Sequence, residues 1–205
     1  LETAANMASF GTDEVVLAFE TFGEHIAMAV DSPGHHLLYE WLTGVPGESL
    51  TEPLEPPRGK WVICGYGRFG KAITHHLKRV GIEPVVVEAT PLKAGCDDCI
   101  VGTGTEAHTL LEAGIEDAVG IVAGTDDDIN NLSIVMTARE LNPGLFTVLR
   151  QNRHANEPLF QHFRANVTMQ PFRIVAHEFL SLLITPLLSR FFSLARSRDD
   201  AWVDV

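Results

Sequence analysis

The sequence contains few cysteines, few basic residues and no long apolar run. Three cysteines among 205 residues are too few for a disulfide framework and fit a reducing compartment better. The longest apolar stretch, 179–188, has about half the roughly 20 residues that a membrane-spanning helix needs, so we expect no transmembrane segment. The formal net charge is −12, and we expect no nucleic-acid partner because phosphate backbones bind basic surfaces.

The charge is also distributed unevenly along the chain. Residues 1–59 contain ten acidic residues and one basic residue, Arg58, whereas residues 60–205 contain seventeen acidic and fourteen basic residues. The first 59 residues therefore look like a separate piece of protein. The chain does not begin with Met and shows no signal peptide, so we expect it to be a fragment of a longer protein.

From residue 60 onward, short apolar β-rich runs alternate with helical patterns. Strands are predicted at 61–64, 84–88, 99–102, 119–123, 145–149 and 167–169. Helices are predicted at 69–80, 91–95, 106–113, 128–141 and 156–163. Continuous apolar strands that alternate with helices predict an α/β fold, a doubly wound, Rossmann-like parallel sheet covered on both faces.

The last apolar stretch, 172–195, predicts a long helix broken by Pro186 and too apolar to be covered by one sheet. When Pro33 is placed over Pro186, the start of the chain aligns with this closing region without a gap, in the order helix, short strand, long helix, proline, amphipathic helix. The predicted divisions are an upstream domain tail at 1–45, a linker rich in proline and glycine at 46–59, a nucleotide-binding domain at 60–170, closing helices at 171–196 and a tail at 197–205.

Three glycines follow the first predicted strand in "WVICGYGRFG", residues 61–70. Gly65 allows a tight turn, Gly67 allows backbone to approach a pyrophosphate, and Gly70 allows the next helix to pack close to the sheet. The helix would direct free N–H groups at the phosphates. Glu88 ends the second strand, where a carboxylate accepts both ribose hydroxyls and repels a 2′-phosphate. The spacing predicts binding of a dinucleotide or adenine nucleotide and disfavours NADP.

Four longer stretches are more specific than the glycines. They read "VICGYGRFGKAI", "VVVEATP", "VGTGTEAHTLLEAGIEDAVGIVAGTDDDINNLSIVMTARELNP" and "VLRQN". In these stretches the sequence resembles the nucleotide-binding domain of potassium transport regulators, called the RCK N-terminal, TrkA-N or KTN domain. The resemblance covers about 60–190. The segment 1–45 is similar to the closing part of the same domain, including its crossover helix.

The resemblance implies a non-enzymatic cytoplasmic domain at the inner face of the cell membrane. Such domains bind NAD or NADH, or alternatively ATP, ADP or AMP, and open or close a potassium channel or transporter. They form homodimers or higher oligomers through the crossover helix, which would lie in 171–196 here. Tandem pairs occur in the family, and this chain would then span the junction between two domains. We expect neither catalytic residues nor a metal site.

The resemblance also assigns residues to the ligand site by position. The phosphate loop would consist of Gly65, Tyr66, Gly67, Arg68, Phe69 and Gly70, with Arg150 reaching toward phosphate from the fifth strand. The ribose would meet Glu88, Ala89 and Thr90, the adenine would border Thr103, Gly104 and Thr105, and Ala123, Gly124 and Thr125 would lie across the crevice. Of the two aromatic residues in the loop, we expect Phe69 in the core and Tyr66 at the ligand mouth or a dimer contact.

Other groups have simpler interpretations. The pair Cys96 and Cys99 is expected to be structural, because no second ligand pair or activated thiol accompanies it. The triplet 126–128 is expected to cap a helix rather than hold a cation. The histidine pairs 35–36 and 75–76 are expected at the surface.

Two rival functions remain open. The chain could be the cofactor domain of a truncated NAD-dependent oxidoreductase, or a dimerisation scaffold with an empty crevice. The resemblance of 1–45 to a second regulator domain counts against the first rival, and ligand titration would test the second.

Overall fold

The computed structural model describes residues 15–44 and 54–184. A parallel sheet lies at its centre, with the strand order β3-β2-β1-β4-β5-β6. The strands are β1 Trp61–Cys64, β2 Val85–Glu88, β3 Ile100–Val101, β4 Gly120–Ala123, β5 Phe146–Arg150 and β6 Val167–Met169. Each bound lies within one residue of its predicted position, and the doubly wound parallel fold is confirmed.

Helices cover both faces of the sheet. In chain order they are α1 Ala18–Asp31, α2 Pro33–Thr43, α3 Arg68–Arg79, α4 Pro91–Ala94, α5 Ala107–Glu112, α6 Asp128–Leu141, α7 Glu157–Phe163 and α8 Pro171–Ile184. The remainder of the closing helical pattern, including Pro186, lies outside the described residues, as do 1–14, part of the linker and the tail. Among the described helices, none is both long and apolar enough to span a bilayer.

Strand β1 is apolar throughout because it contributes to two cores. Val62 and Cys64 enter the core on one face, whereas Trp61 and Ile63 enter the core on the other face, and all four side chains are fully buried. Successive side chains of a strand point to opposite faces. A strand covered on both faces must therefore be apolar at every position, as a central parallel strand is.

Helix α1 packs against α3, and side chains of α2 contact α8. Phe22 and Ile26 of α1 belong to the same core as Phe69 and Ile73 of α3. The aromatic ring centroids of Phe22 and Phe69 are 5.7 Å apart. The sequence predicted a short strand before α1, and the described residues just before that helix, 15–17, form no strand. A parallel strand needs a hydrogen-bonded neighbour, and no described strand lies beside this segment.

Two of the histidines predicted at the surface are buried. His36 on α2 is 2% exposed and His76 on α3 is 8% exposed, and the Nε2 atom of His76 lies 3.1 Å from a carboxylate oxygen of Glu20. Burial lowers the pKa of His36, and the nearby Glu40 carboxylate opposes this effect. The surface prediction was wrong for these two side chains because both are covered by α1. His76 lies where α1 packs on α3, and the ring of His36 contacts that of His25 on α1.

The cysteines also differ from expectation. Cys96 and Cys99 form a disulfide bond, so the prediction of reduced cysteines is wrong for this pair. Helix α4 ends at Gly95 in the left-handed conformation, and this turn places the two Cα atoms 5.8 Å apart, within bonding range. Cys64 is free and buried, and burial raises the pKa of its thiol to about 12.

The predicted linker 46–59 is described only from residue 54. Pro56 is buried, and the carbonyl of Pro57 accepts a hydrogen bond from the indole of Trp61 at 3.1 Å. Arg58 donates to Asp31 at 2.7 Å and to the carbonyl of Val80 at 2.6 Å. The end of this segment therefore joins α1 to the C-terminal end of α3.

Candidate functional site

A cleft of about 700 Å³ opens at the carboxyl ends of the strands. It lies where β1 and β4 are adjacent, the point at which the chain reverses its direction of travel across the sheet. Open parallel sheets bind ligands at such switch points. The volume lies in the range of sites for small molecules and cofactors.

Two glycines are required by the local backbone of the loop between β1 and α3. Gly65 has φ +94°, and its N–H donates to the carbonyl of Val87 at 2.9 Å, which holds the loop against β2. A Cβ atom on Gly70 would overlap the carbonyl oxygen of Gly65. The roles predicted for Gly65 in the turn and for Gly70 in close packing therefore agree with the geometry.

Gly67 is different, since no contact within the fold requires it to be glycine. Its φ is −71°, which any residue adopts, and a Cβ atom there would meet no protein atom within 4 Å. Gly67 is also the N-cap of α3, and no side chain caps that helix. The start of α3 therefore lines the cleft without a side-chain cap, and the positive end of the helix dipole lies there.

Glu88 is held firmly at the end of β2. One carboxylate oxygen accepts hydrogen bonds from the N–H of Thr90 at 2.9 Å and from its hydroxyl at 3.1 Å, and the other accepts from the N–H of Tyr66 at 2.7 Å. Partial burial raises the pKa of Glu88, but these hydrogen bonds outweigh burial and hold the pKa below its usual value. The ionised carboxylate joins the glycine loop to β2 and retains acceptor capacity toward the cleft.

Four basic side chains line the cleft, although the chain as a whole is acidic. They are Arg68, Lys71, Lys93 and Arg150. Burial lowers the pKa of Arg150, and the nearby positive charge of Arg68 lowers this pKa further. The carboxylate of Asp126 acts in the opposite direction. The guanidinium still carries its charge at neutral pH. Concentrating positive charge in one cleft of a protein with net charge −12 favours an anionic ligand.

The far wall of the cleft is fixed by polar residues that follow β4. The side chain of Asn131 accepts from the N–H and hydroxyl of Thr125 and donates to the carbonyls of Thr125 and Arg150, all within 3.0 Å. Asp128 is buried and accepts four hydrogen bonds from the loop 152–156, at 2.6 to 3.1 Å. These contacts lock the ends of β4 and β5 together.

The structure brings together most of the predicted site residues. Thirteen of the sixteen line the cleft: Gly65, Tyr66, Gly67, Arg68, Glu88, Ala89, Thr90, Thr103, Gly104, Thr105, Gly124, Thr125 and Arg150. The other three, Phe69, Gly70 and Ala123, are buried beneath it. Phe69 is fully buried, in agreement with its predicted core position, and Tyr66 lies half-buried at the mouth.

Several lining residues were missed by sequence reasoning. Lys71 and Lys93 lie one helical turn or less from predicted residues and could have been found by extending the motif along α3 and α4. Phe19 belongs to α1, far from the glycine loop in sequence, and no local signal pointed to it.

The three residues of the acidic triplet 126–128 have different roles. Asp127 is the N-cap of α6 and accepts from the N–H of Asn130 at 2.8 Å, as the capping interpretation predicts. Asp126 lines the cleft, and Asp128 forms the buried network described above. Among the described residues, no group of three or more histidine, cysteine or acidic side chains has metal-binding geometry.

The parallel sheet, the glycine loop and the cationic cleft at its switch point define the class of doubly wound domains with a ligand crevice. Comparison with known proteins identifies the family. The family model of the TrkA-N domain matches residues 61–171, more than half of the sequence. The chain belongs to the TrkA-N domain family.

Several relatives of the chain are potassium channel or potassium uptake proteins. Potassium channel protein 1 of Methanocaldococcus jannaschii is 28% identical over 148 residues, which is 68% of this chain and 44% of that protein. The chain therefore spans less than half the length of this relative.

Solved structures with similar folds include ligand complexes. The GsuK channel bound to NAD matches with a TM-score of 0.53 and 27% identity, over 70% of this chain and 26% of that chain. The Kef C-terminal domain of Shewanella denitrificans in its AMP-bound form matches with a TM-score of 0.52 and 26% identity, over 71% of this chain and 96% of that chain.

Proposed function

We propose that the cleft binds the diphosphate of NAD, NADH or an adenine nucleotide. The observation that carries this proposal is Gly67, because the fold itself leaves room there for a larger side chain. A glycine that no protein contact requires, at the uncapped start of a helix, keeps space for a group that approaches the backbone closely. Arg68 and Arg150 would supply cationic donors to the phosphates.

The ribose would lie against Glu88. Its carboxylate is held ionised by hydrogen bonds, so it can accept from ribose hydroxyls and would repel a 2′-phosphate. NAD is therefore favoured over NADP. The NAD complex of the GsuK channel and the AMP complex of the Kef domain support the choice of ligand class.

The regulatory role would be to couple nucleotide occupancy to a potassium channel or transporter, in the parent chain or in a partner subunit. The potassium channel relative and the TrkA-N family support this role. The domain would lie in the cytoplasm at the inner face of the membrane and act by ligand-dependent change of shape, without catalysis. Such coupling requires that nucleotide bind two arrangements of the domain with different affinity.

Assembly would use the closing helix α8 as the crossover helix of a homodimer or higher oligomer. Its exposed apolar side chains are Phe172, Phe179, Leu180, Leu183 and Ile184. A helix with this much exposed apolar surface is stabilised by a partner surface.

The segment 1–45 would be the tail of an upstream copy of the domain. Helix α1 begins at residue 18 and α8 at residue 171, an offset of 153 (171 − 18) that equals the offset between Pro33 and Pro186. Two helices that start at equivalent positions of a repeat support the tandem arrangement. On this proposal, α1 and α2 are crossover helices of the preceding domain that pack on this one.

Isothermal titration with NAD, NADH, ATP, ADP and AMP tests the binding proposal. A ligand at a hundred times its dissociation constant should add about 2.7 kcal/mol of stability, which a thermal-shift assay also detects. If no nucleotide binds, the empty scaffold is the better description. If NAD binds together with a reducible substrate that is turned over, the oxidoreductase is the better description.

A further inference from the structure

Phe19 places an aromatic ring in the cleft from outside the nucleotide-binding domain. It lies on α1, and among the described residues it is the one before residue 60 that lines the cleft. Its ring centroid is 5.6 Å from that of Phe69, which anchors it to the core beneath the glycine loop.

Two guanidinium groups converge on this ring. The central carbon of Arg150 is 4.8 Å from the centroid of Phe19, and that of Arg68 is 5.6 Å away. The face of an aromatic ring is electronegative and attracts a guanidinium within about 6 Å. The ring therefore holds together two like charges that would otherwise repel each other.

The contact leaves hydrogen-bond donors unused. A guanidinium packed on a ring uses its face, while its N–H groups lie in the plane of the group and do not contact the ring. One terminal nitrogen of Arg150 donates to the carbonyl of Gly124 at 3.3 Å, a long hydrogen bond, and its Nε is buried without a hydrogen-bond partner among the described residues. Such donors match the oxygens of a phosphate.

We propose that Phe19 is a positioning residue of the nucleotide site, which orients Arg68 and Arg150 toward the two phosphates of a bound diphosphate. This inference depends on the proposed function, since it names a further part of the same site. Helix α1 is then a component of the ligand site, and its packing on the domain and the binding of a diphosphate stabilise each other.

The test compares Phe19→Leu with the unchanged full chain by titration with ADP and AMP. Leucine keeps apolar contact with Phe69 but removes the aromatic face. We expect ADP affinity to fall about tenfold, from the loss of two cation–ring contacts, and AMP affinity to fall less because AMP has one phosphate. Phe19→Tyr keeps the ring and should bind ADP like the unchanged chain.

Phe22→Leu is the matched control. Phe22 lies on the same helix and packs on Phe69, with ring centroids 5.7 Å apart, but no described guanidinium stacks on it. This variant should lose thermal stability and keep the ratio of ADP affinity to AMP affinity. A purely structural role for Phe19 would lower both affinities by the same factor and would overturn the inference.

The two levels of proposal fail in different ways. If the unchanged chain binds neither ADP nor NAD, the proposed function fails and this inference with it. If the unchanged chain binds ADP and Phe19→Leu binds it equally well, this inference alone fails. Hydrogen exchange on the unchanged chain gives a measurement that needs no variant: ADP should slow exchange in 18–31, and equal rates with and without ADP would also refute the role of α1.

Discussion

Replacement of Gly67 by aspartate should abolish nucleotide binding and leave the fold intact. The fold tolerates the change because φ is −71° and a Cβ atom would meet nothing within 4 Å. Aspartate is also a better N-cap than glycine by a few tenths of a kcal/mol, since its carboxylate accepts from the first N–H groups of α3. We therefore expect a melting temperature within about 1 °C of the unchanged chain.

The loss of binding has two physical causes. The introduced carboxylate would occupy the N–H groups that a phosphate needs, and it would repel the phosphate charge. Two unit charges about 4 Å apart interact by roughly 4 kcal/mol at an effective dielectric constant of 20, and this corresponds to about a thousandfold in affinity. Raising the salt concentration should recover part of this loss, because exposed charges are screened.

Gly67→Asn separates these causes. Asparagine has nearly the same size and caps helices equally well, but it carries no charge. Titration with ADP should therefore give weaker binding for Gly67→Asn than for the unchanged chain, and weaker binding still for Gly67→Asp. Unaltered ADP affinity in Gly67→Asp would show that phosphates do not bind at this loop. A fall of more than about 5 °C in its melting temperature would show that the fold does constrain Gly67.

Three further measurements test other parts of the site. Gly70→Ala should destabilise the domain with or without nucleotide, since the added Cβ overlaps the carbonyl oxygen of Gly65; an unchanged denaturation midpoint would contradict the close packing. Asp128→Asn should cost about 2–3 kcal/mol in chemical denaturation, because it removes a charged acceptor from buried donors in the loop 152–156; a cost below 1 kcal/mol would mean that the network contributes little. Glu88→Gln should weaken NAD binding about tenfold and reduce the ratio of NAD affinity to NADP affinity. If the variant and the unchanged chain bind NAD with equal affinity, Glu88 does not contact the ribose. The same variant tests pH dependence. The pKa of Glu88 is lower in the folded chain than in the unfolded one, so its contribution to stability is complete above about pH 4.3 and is lost as the pH falls through the folded value. Glu88→Gln should therefore lose less stability than the unchanged chain on acidification.

Patterns within single segments were sufficient for the fold, the glycine loop and Glu88, whereas the family resemblance assigned the candidate site residues that follow β3, β4 and β5. Residues 61–70 predict both the apolar strand at 61–64 and the glycine loop after it. A buried parallel strand followed by this glycine spacing is compatible with few other conformations. Glu88 followed from its position at the end of the next strand. In each case one short stretch contained both the pattern that predicts the structure and the groups that would contact a ligand.

Contacts between distant segments required the folded chain. The burial of His36 and His76 and the entry of Phe19 into the cleft all depend on how α1 packs on α2 and on α3. The buried network of Asp128 likewise depends on the loop 152–156, which folds back toward the start of α6. These residues come together because side chains far apart in sequence pack on one another. No periodicity or spacing along the chain predicts which surfaces will be in contact. Local propensity therefore accounts for the strands and the glycine loop, whereas the tertiary packing of α1 determines which side chains complete the cleft.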